Sequence, residues 1–172
     1  MTTTRFVGTL VHDHNTVYYH YGTAHGECNV HLVRYLRANS DNVLNHWSDE
    51  MIELLLTMKR SKEHAIAYGA DHFEQVDLDR YRKRYDEIVE AGFAALINTN
   101  SRFYKTEERR LLNRLKKYRD NHLLFAAADF SVPFDNNLSE RDLRMVKTKG
   151  ESLGVFQEFT RRTNLCQLNE YH

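Results

Sequence analysis

Val132-Pro133-Phe134-Asp135-Asn136-Asn137-Leu138-Ser139-Glu140-Arg141-Asp142-Leu143-Arg144-Met145 carries the only proline of the chain, then two asparagines, a glutamate and a basic amphipathic turn. Proline cannot continue a helix and pushes the residue before it to extended backbone, so the segment reads as a loop leading into a helix that starts near Asn136 or Asn137. Far upstream, Val11-His12-Asp13-His14 closes a β-rich segment, Arg5 to His12, in which Phe6, Val7, Thr9, Leu10 and Val11 partly alternate with polar residues. That segment reads as a strand ending at Asp13. A strand-end aspartate and a helix-borne glutamate are two carboxylates that a fold can bring together over a metal ion. By residue type alone, Glu140 also fits the third position of a capping box begun by Asn137, and Asp13 also fits a turn.

The residues between these two points set the architecture. Tyr18 to Cys28 reads as a turn and a second short strand, and Asn29 to Ala38 as a helix with Leu32, Tyr35 and Leu36 on one side. Ser48 is the expected cap of a second helix, stapled by Trp47 against Ile52 and stopped by Gly69. Asp77 is the expected cap of a third, with Tyr81, Tyr85, Ile88 and Leu96 at helical spacing. Thr106 is the expected cap of a fourth, with Leu111, Leu115, Tyr118 and Phe125 along its face. Two strand-like segments thus precede three long helices and the Glu140 helix, the order of a helical insertion placed inside an α/β core. Two short strands do not make a stable sheet alone, so the expected sheet has further strands elsewhere.

Composition narrows the function classes. The 24 Lys and Arg balance 24 Asp and Glu, so bulk charge points to neither nucleic acid nor membrane. Any DNA contact must come from local basic stretches such as Lys105 to Lys117 and Arg141 to Lys149. No apolar run is long enough to span a membrane, and Met1-Thr-Thr-Thr-Arg is no signal peptide. Cys28 and Cys166 do not suggest a disulfide framework, which makes a reducing cytoplasm the default. His12, His14, His20, His25, Cys28 and His31 form a ligand-rich cluster, but with one cysteine and no paired Cys-x-x-Cys the zinc reading is the weaker one.

Three blocks resemble one family. Gly8-Thr-Leu-Val-His-Asp13-His resembles the second-aspartate strand of bacterial DDE transposases of the insertion-sequence-66 family. Cys28-Asn-Val-His31-Leu-Val-Arg34-Tyr-Leu36 resembles that family's Cys-x-x-His-x-x-Arg-x-Leu helix start, and Pro133 to Lys147 resembles its glutamate helix almost without a gap. The resemblance covers roughly residues 5 to 149, the C-terminal part of a catalytic domain. It implies an α/β, mostly helical fold: a partial ribonuclease-H-like core with an inserted helical subdomain at about residues 47–125. It also implies transposon-end DNA as partner, a bacterial cytoplasmic setting and magnesium as cofactor. Asp13 and Glu140 would be catalytic residues and metal ligands. Cutting and joining a phosphodiester places charge on the attacking and leaving oxygens, and two magnesium ions about 3.5–4 Å apart stabilise both. Magnesium takes hard oxygen ligands, hence carboxylates.

The chain departs from the family pattern in three places. Asn15 stands where the family commonly has tryptophan after His-Asp-His. The first aspartate of the triad belongs to an earlier strand, and only Met-Thr-Thr-Thr precedes Arg5, so the expectation is a truncated domain, inactive alone. After Lys149 the likeness collapses. Back-translated and read one base later, residues 150–172 can spell a peptide resembling the family's continuation, so the tail is expected to be out of frame and not integral to the fold. The competing readings are a small helical protein-binding or regulatory protein without catalysis, and a zinc module.

Overall fold

The chain is described as a computed structural model covering residues 8–136 except 44 and 128. The β-branched run before Asp13 forms strand β1 at Thr9–His12, and β2 follows at Ala24–Glu27. The two are parallel, pairing Thr9 with Ala24, Leu10 with His25, Val11 with Gly26 and His12 with Glu27. A 3-10 turn at Thr16–His20 carries the chain between them, started by the Asn15 side chain accepting from the Val17 amide. Both carboxyl ends therefore lie at one edge of the sheet. Gly26 keeps the sheet face tight: a Cβ there would stand 3.3 Å from Val11 Cγ2 and 3.6 Å from Val132 Cγ1.

Helices follow: α1 at Asn29–Asn42, α2 at Trp47–Ala67, α3 at Gln75–Ala95, α4 at Arg102–Lys117 and α5 at Arg119–Ala127. The described chain is thus mostly helical with a small parallel sheet, and none of its helices is long and apolar enough to cross a membrane. Gly69 ends α2 as anticipated, adopting φ +84° while its amide bonds to Ile66 O, a left-handed turn that glycine enters without strain. Apolar stripes on α1 to α5 close one core that includes Leu36, Trp47, Met51, Leu55, Tyr85, Ile88, Leu112, Leu115 and Phe125. The core is tight at Gly92 of α3, where a Cβ would sit 2.5 Å from Leu112 Cδ2 and 3.0 Å from Trp47 Cδ2.

The helix starts differ from the expected caps. Ser48 is not the cap of α2, because Trp47 is already helical; Ser48 is fully buried and accepts from Asn39 Nδ2 at 2.8 Å, tying α1 to α2. Trp47 consequently does not act as a staple from outside the helix. Its indole Nε1 donates to the buried Glu108 at 2.8 Å, where Thr99 also donates at 2.6 Å. Asp77 lies inside the first turn of α3, where a carboxylate offsets the positive helix end. Ser101 caps α4, accepting from the Tyr104 amide, while Thr106 sits a turn later and donates to Arg102 O. The α1 helix runs four residues past Ala38.

The expected fourth helix is two helices. The chain leaves helical geometry at Tyr118, φ −110° and ψ 24°, with neither glycine nor proline at the break. The Tyr118 ring packs 4.8 Å from His14 and 5.2 Å from Tyr19, contacts to the strand end that the local sequence does not announce. Beyond α5 the loop to Pro133 is fixed from three sides. Phe130 N bonds to Asp71 O at 2.7 Å, the buried Lys62 Nζ donates to Phe125 O at 2.9 Å and Val132 O at 2.6 Å, and Asn29 N bonds to Phe134 O at 3.0 Å.

Candidate functional site

Asp13 is the first residue past β1, and its carboxylate is exposed. It makes no side-chain hydrogen bond or ion pair among the described residues. Its backbone, by contrast, is held: the Asp13 carbonyl accepts from Asn15 N at 2.7 Å and from His12 Nδ1. A fixed backbone with an uncommitted carboxylate is what a ligand for a hard cation requires.

The residues on either side of Asp13 lead into a buried network that the sequence does not announce. Its centre is Glu27, the last residue of β2 and only 2% exposed. Glu27 Oε1 accepts from His14 Nδ1 at 2.5 Å and from the Tyr19 hydroxyl at 2.6 Å. Glu27 Oε2 accepts from Arg114 Nη2 at 2.7 Å, Arg114 Nε at 3.1 Å and His122 Nε2 at 2.9 Å. Burial alone would push this carboxyl up. The hydrogen bonds from His122 and His14 and the Arg114 charge outweigh it and hold Glu27 well below the usual carboxylate range. Burial raises the Tyr19 hydroxyl, and its bond to Glu27 raises it further.

His122 is fully buried and burial holds its imidazole below the ordinary value, so at neutral pH it is a neutral ring. In that state Nε2–H donates to Glu27, and Nδ1 lies 2.9 Å from the Tyr85 hydroxyl, which also reaches Leu115 O at 3.1 Å. Arg114 is then the full countercharge of Glu27, nearly buried and donating twice to the one oxygen Oε2, a charge-assisted contact. Residues of β2, α4 and α5 thus lock together the strand end that presents Asp13. The partners of Glu27 come from 8 to 95 residues away in the chain, and that separation hides the network from local pattern reading. The nearest sequence signal was Glu27 directly before the Cys28 motif.

Glu140 lies outside the described residues, as does the tail from residue 150. The described chain up to Phe134 is tied to the start of α1. Cys28 N bonds to His12 O at 2.8 Å, and the next residue, Asn29, holds Phe134 O. Five residues lie between Phe134 and Glu140 in the sequence.

Three members of the histidine-rich cluster have other partners. His14 is bound to Glu27, while His12 and His25 pack with Tyr19 at 4.8 and 4.9 Å. Cys28 is buried at the start of α1 as a free thiol. Among the described residues no three or more His, Cys, Asp or Glu side chains are arranged to hold a metal ion. Asp13 is a hard oxygen donor of the kind magnesium takes, and it stands without a second carboxylate ligand among the described residues.

Neither the comparison with curated proteins nor that with solved structures gave a match. The comparison with protein families did: the model of the transposase IS66 family matches residues 1–159, reaching ten residues past Lys149. With the match covering most of the chain, this protein belongs to the IS66 family of transposases.

Proposed function

We propose that this chain is part of the catalytic domain of a DDE transposase, in which Asp13 and Glu140 are two of the three carboxylates that hold magnesium for cutting and joining transposon-end DNA. The observation that carries the reading is the exposed, uncommitted Asp13 carboxylate at the carboxyl end of a parallel strand, on a backbone held by its neighbours. Open parallel sheets place their chemistry at that edge. The hydrogen bond between Asn29 and Phe134 supports the same reading, because it starts the Glu140 segment at that edge. The β1–β2 pair and α1 are then part of a ribonuclease-H-like core, and residues 47–125 are its helical insertion. Magnesium, when bound, would stabilise charge on the attacking and leaving phosphodiester oxygens. The chain's own part is to hold the carboxylates and the DNA in place.

Two matched carboxylates are fewer than the triad needs, and a lost metal ligand removes several kcal/mol of transition-state stabilisation. The 172-residue polypeptide is accordingly proposed to bind transposon-end duplex without cleaving it. Incubation with labelled end DNA and magnesium tests this. The expected result is a shifted band and intact DNA. Cleavage that disappears in Glu140→Ala would mean that a substitute ligand completes the site, and failure of any end-containing duplex to bind would remove the DNA-directed reading. We further propose that residues 150–172 are out of frame. The nucleotide sequence after codon 149 tests that directly, since the shifted frame must encode a family-like peptide.

A further inference from the structure

The α4 helix carries seven Lys and Arg against two Glu. Arg102, Lys105, Arg109, Asn113 and Lys116 follow one another at steps of three or four residues, which sets them in one row along the helix. Neither glutamate joins that row. Glu108 is buried and takes the Trp47 and Thr99 donors, and Glu107 pairs with Arg110 beside the groove between α1 and α4. In the row Arg102, Arg109, Asn113 and Lys116 are exposed and Lys105 is half-buried. Arg102, Lys105 and Arg109 make no ion pair among the described residues. Lys116 has Glu90 at 3.3 Å, an exposed pair that solvent screens.

The row works against its own helix. The start of a helix carries partial positive charge and favours acids. The first turn of α4 holds Arg102 and no acid, with Lys105 next, whereas α2, α3 and α5 each place an acid there. A local rule broken without a compensating contact marks a functional surface. The chemistry of the row selects its occupant. A protein interface needs apolar or aromatic anchors at its centre, and a membrane surface needs an apolar face; the row has neither. A single strand needs open rings for its bases to stack on, and the row has none. Duplex phosphates need only cations and polar donors, which Arg, Lys and Asn supply. From Arg102 to Lys116 the row is about 21 Å long at 1.5 Å per residue. A duplex carries a phosphate about every 3.4 Å on each strand, so each cation of the row can meet one. The helix ends beside the Asp13 strand end, where the Tyr118 ring packs on His14 at 4.8 Å.

We propose that this row is a duplex-tracking surface, on which Arg102, Lys105, Arg109 and Lys116 hold backbone phosphates of double-stranded DNA without reading its sequence. The inference rests on the transposase reading above, and it assigns a share of the DNA contact to the outer face of α4.

Fluorescence anisotropy with the full chain tests it, using a labelled transposon-end duplex, an unrelated duplex of equal length and oligothymidylate, each titrated across salt concentrations. The variant Arg102→Gln/Lys105→Gln/Arg109→Gln removes three phosphate contacts, and its circular dichroism should match the parent. Each contact contributes about 0.9 to the slope of log affinity against log salt. The slope should therefore flatten by about 2–3, and both duplexes should bind at least about ten-fold more weakly at about 0.1 M salt. A second triple variant, Arg60→Gln/Arg80→Gln/Arg82→Gln, removes the same charge from paired positions of α2 and α3 and should keep the parental slope. Arg102→Lys/Arg109→Lys should keep parental affinity, because a phosphate needs only a cation there. A parental slope in the row variant would overturn the proposal, as would equal flattening in the two triple variants. So would a loss confined to one duplex, or a larger loss for oligothymidylate than for duplex. Loss of self-association with duplex binding unchanged would assign the row to a second copy and also overturn it. If the transposon-end duplex still binds the parent in these cases, the transposase reading stands while the row proposal falls. A parent that binds no duplex would remove both.

Discussion

Replacing Glu27 by glutamine should take away a large part of the fold's stability. The carboxylate is 2% exposed and accepts five contacts, from His14, Tyr19, His122 and twice from Arg114. Glutamine keeps one acceptor oxygen, and its NH₂ meets either the donor-only Arg114 beside His122 or the His14 and Tyr19 pair, which must turn to accept. It also leaves the Arg114 guanidinium, 11% exposed at its side chain, without a countercharge. Breaking a buried pair by removing one partner costs about 3–5 kcal/mol, because the surviving charge stays desolvated. Domains are stable by only about 5–15 kcal/mol, so the variant should stand near the edge of folding. Urea denaturation followed by far-UV circular dichroism measures this, and the melting temperature should drop by about 10–20 °C. Pairing Glu27→Gln with Arg114→Met should recover part of the loss, since the double variant buries no unpaired charge. A single variant within about 1 kcal/mol of the parent would refute the view that this network holds the strand end.

Other outcomes follow from the same contacts. Gly92→Ala should destabilise by about 1–3 kcal/mol through overpacking against Leu112 and Trp47, read in the same urea titration. Lys62→Met should cost about 1–3 kcal/mol by leaving the Phe125 and Val132 carbonyls unpaired, and proteolysis should then cut the 128–134 loop sooner. Stability should decline in two stages as pH falls. Below the ordinary histidine value of 6.5 the unfolded chain takes up a proton that buried His122 refuses, so folding weakens from about pH 7 toward pH 5. Glu27, depressed in the fold, contributes stability that is present above its ordinary 4.5 and is lost as pH falls below it. In urea titrations across pH, His122→Gln should flatten the first stage and leave the second. Asp13→Asn should leave the melting temperature unchanged, because the carboxylate has no partner among the described residues.

What the sequence disclosed was the local part of the structure. The β-rich run before Asp13, the glycine that stops α2 and the apolar stripes of α1 to α4 are short-range signals, and each appears as an element. The cap positions were less legible, because serine and threonine hydroxyls have other uses: Ser48 went to Asn39 and Thr106 to its own helix. The break at Tyr118 carries no glycine or proline, and the ring there packs on His14 and Tyr19, about a hundred residues earlier. Asp13 was legible as a strand-end carboxylate. Glu27, Arg114 and His122 were not, because a buried ion network has no period and its members look like ordinary surface charges until the helices pack.

The placement of the Glu140 carboxylate beside that of Asp13 is the claim on which the functional reading turns. A crystal structure of the full 172-residue chain soaked in manganese, with anomalous data, measures it. The predicted result is an anomalous peak in ligand contact with both carboxylates at the carboxyl edge of β1. Asp13 and Glu140 on different surfaces, with no peak between them, would contradict the account.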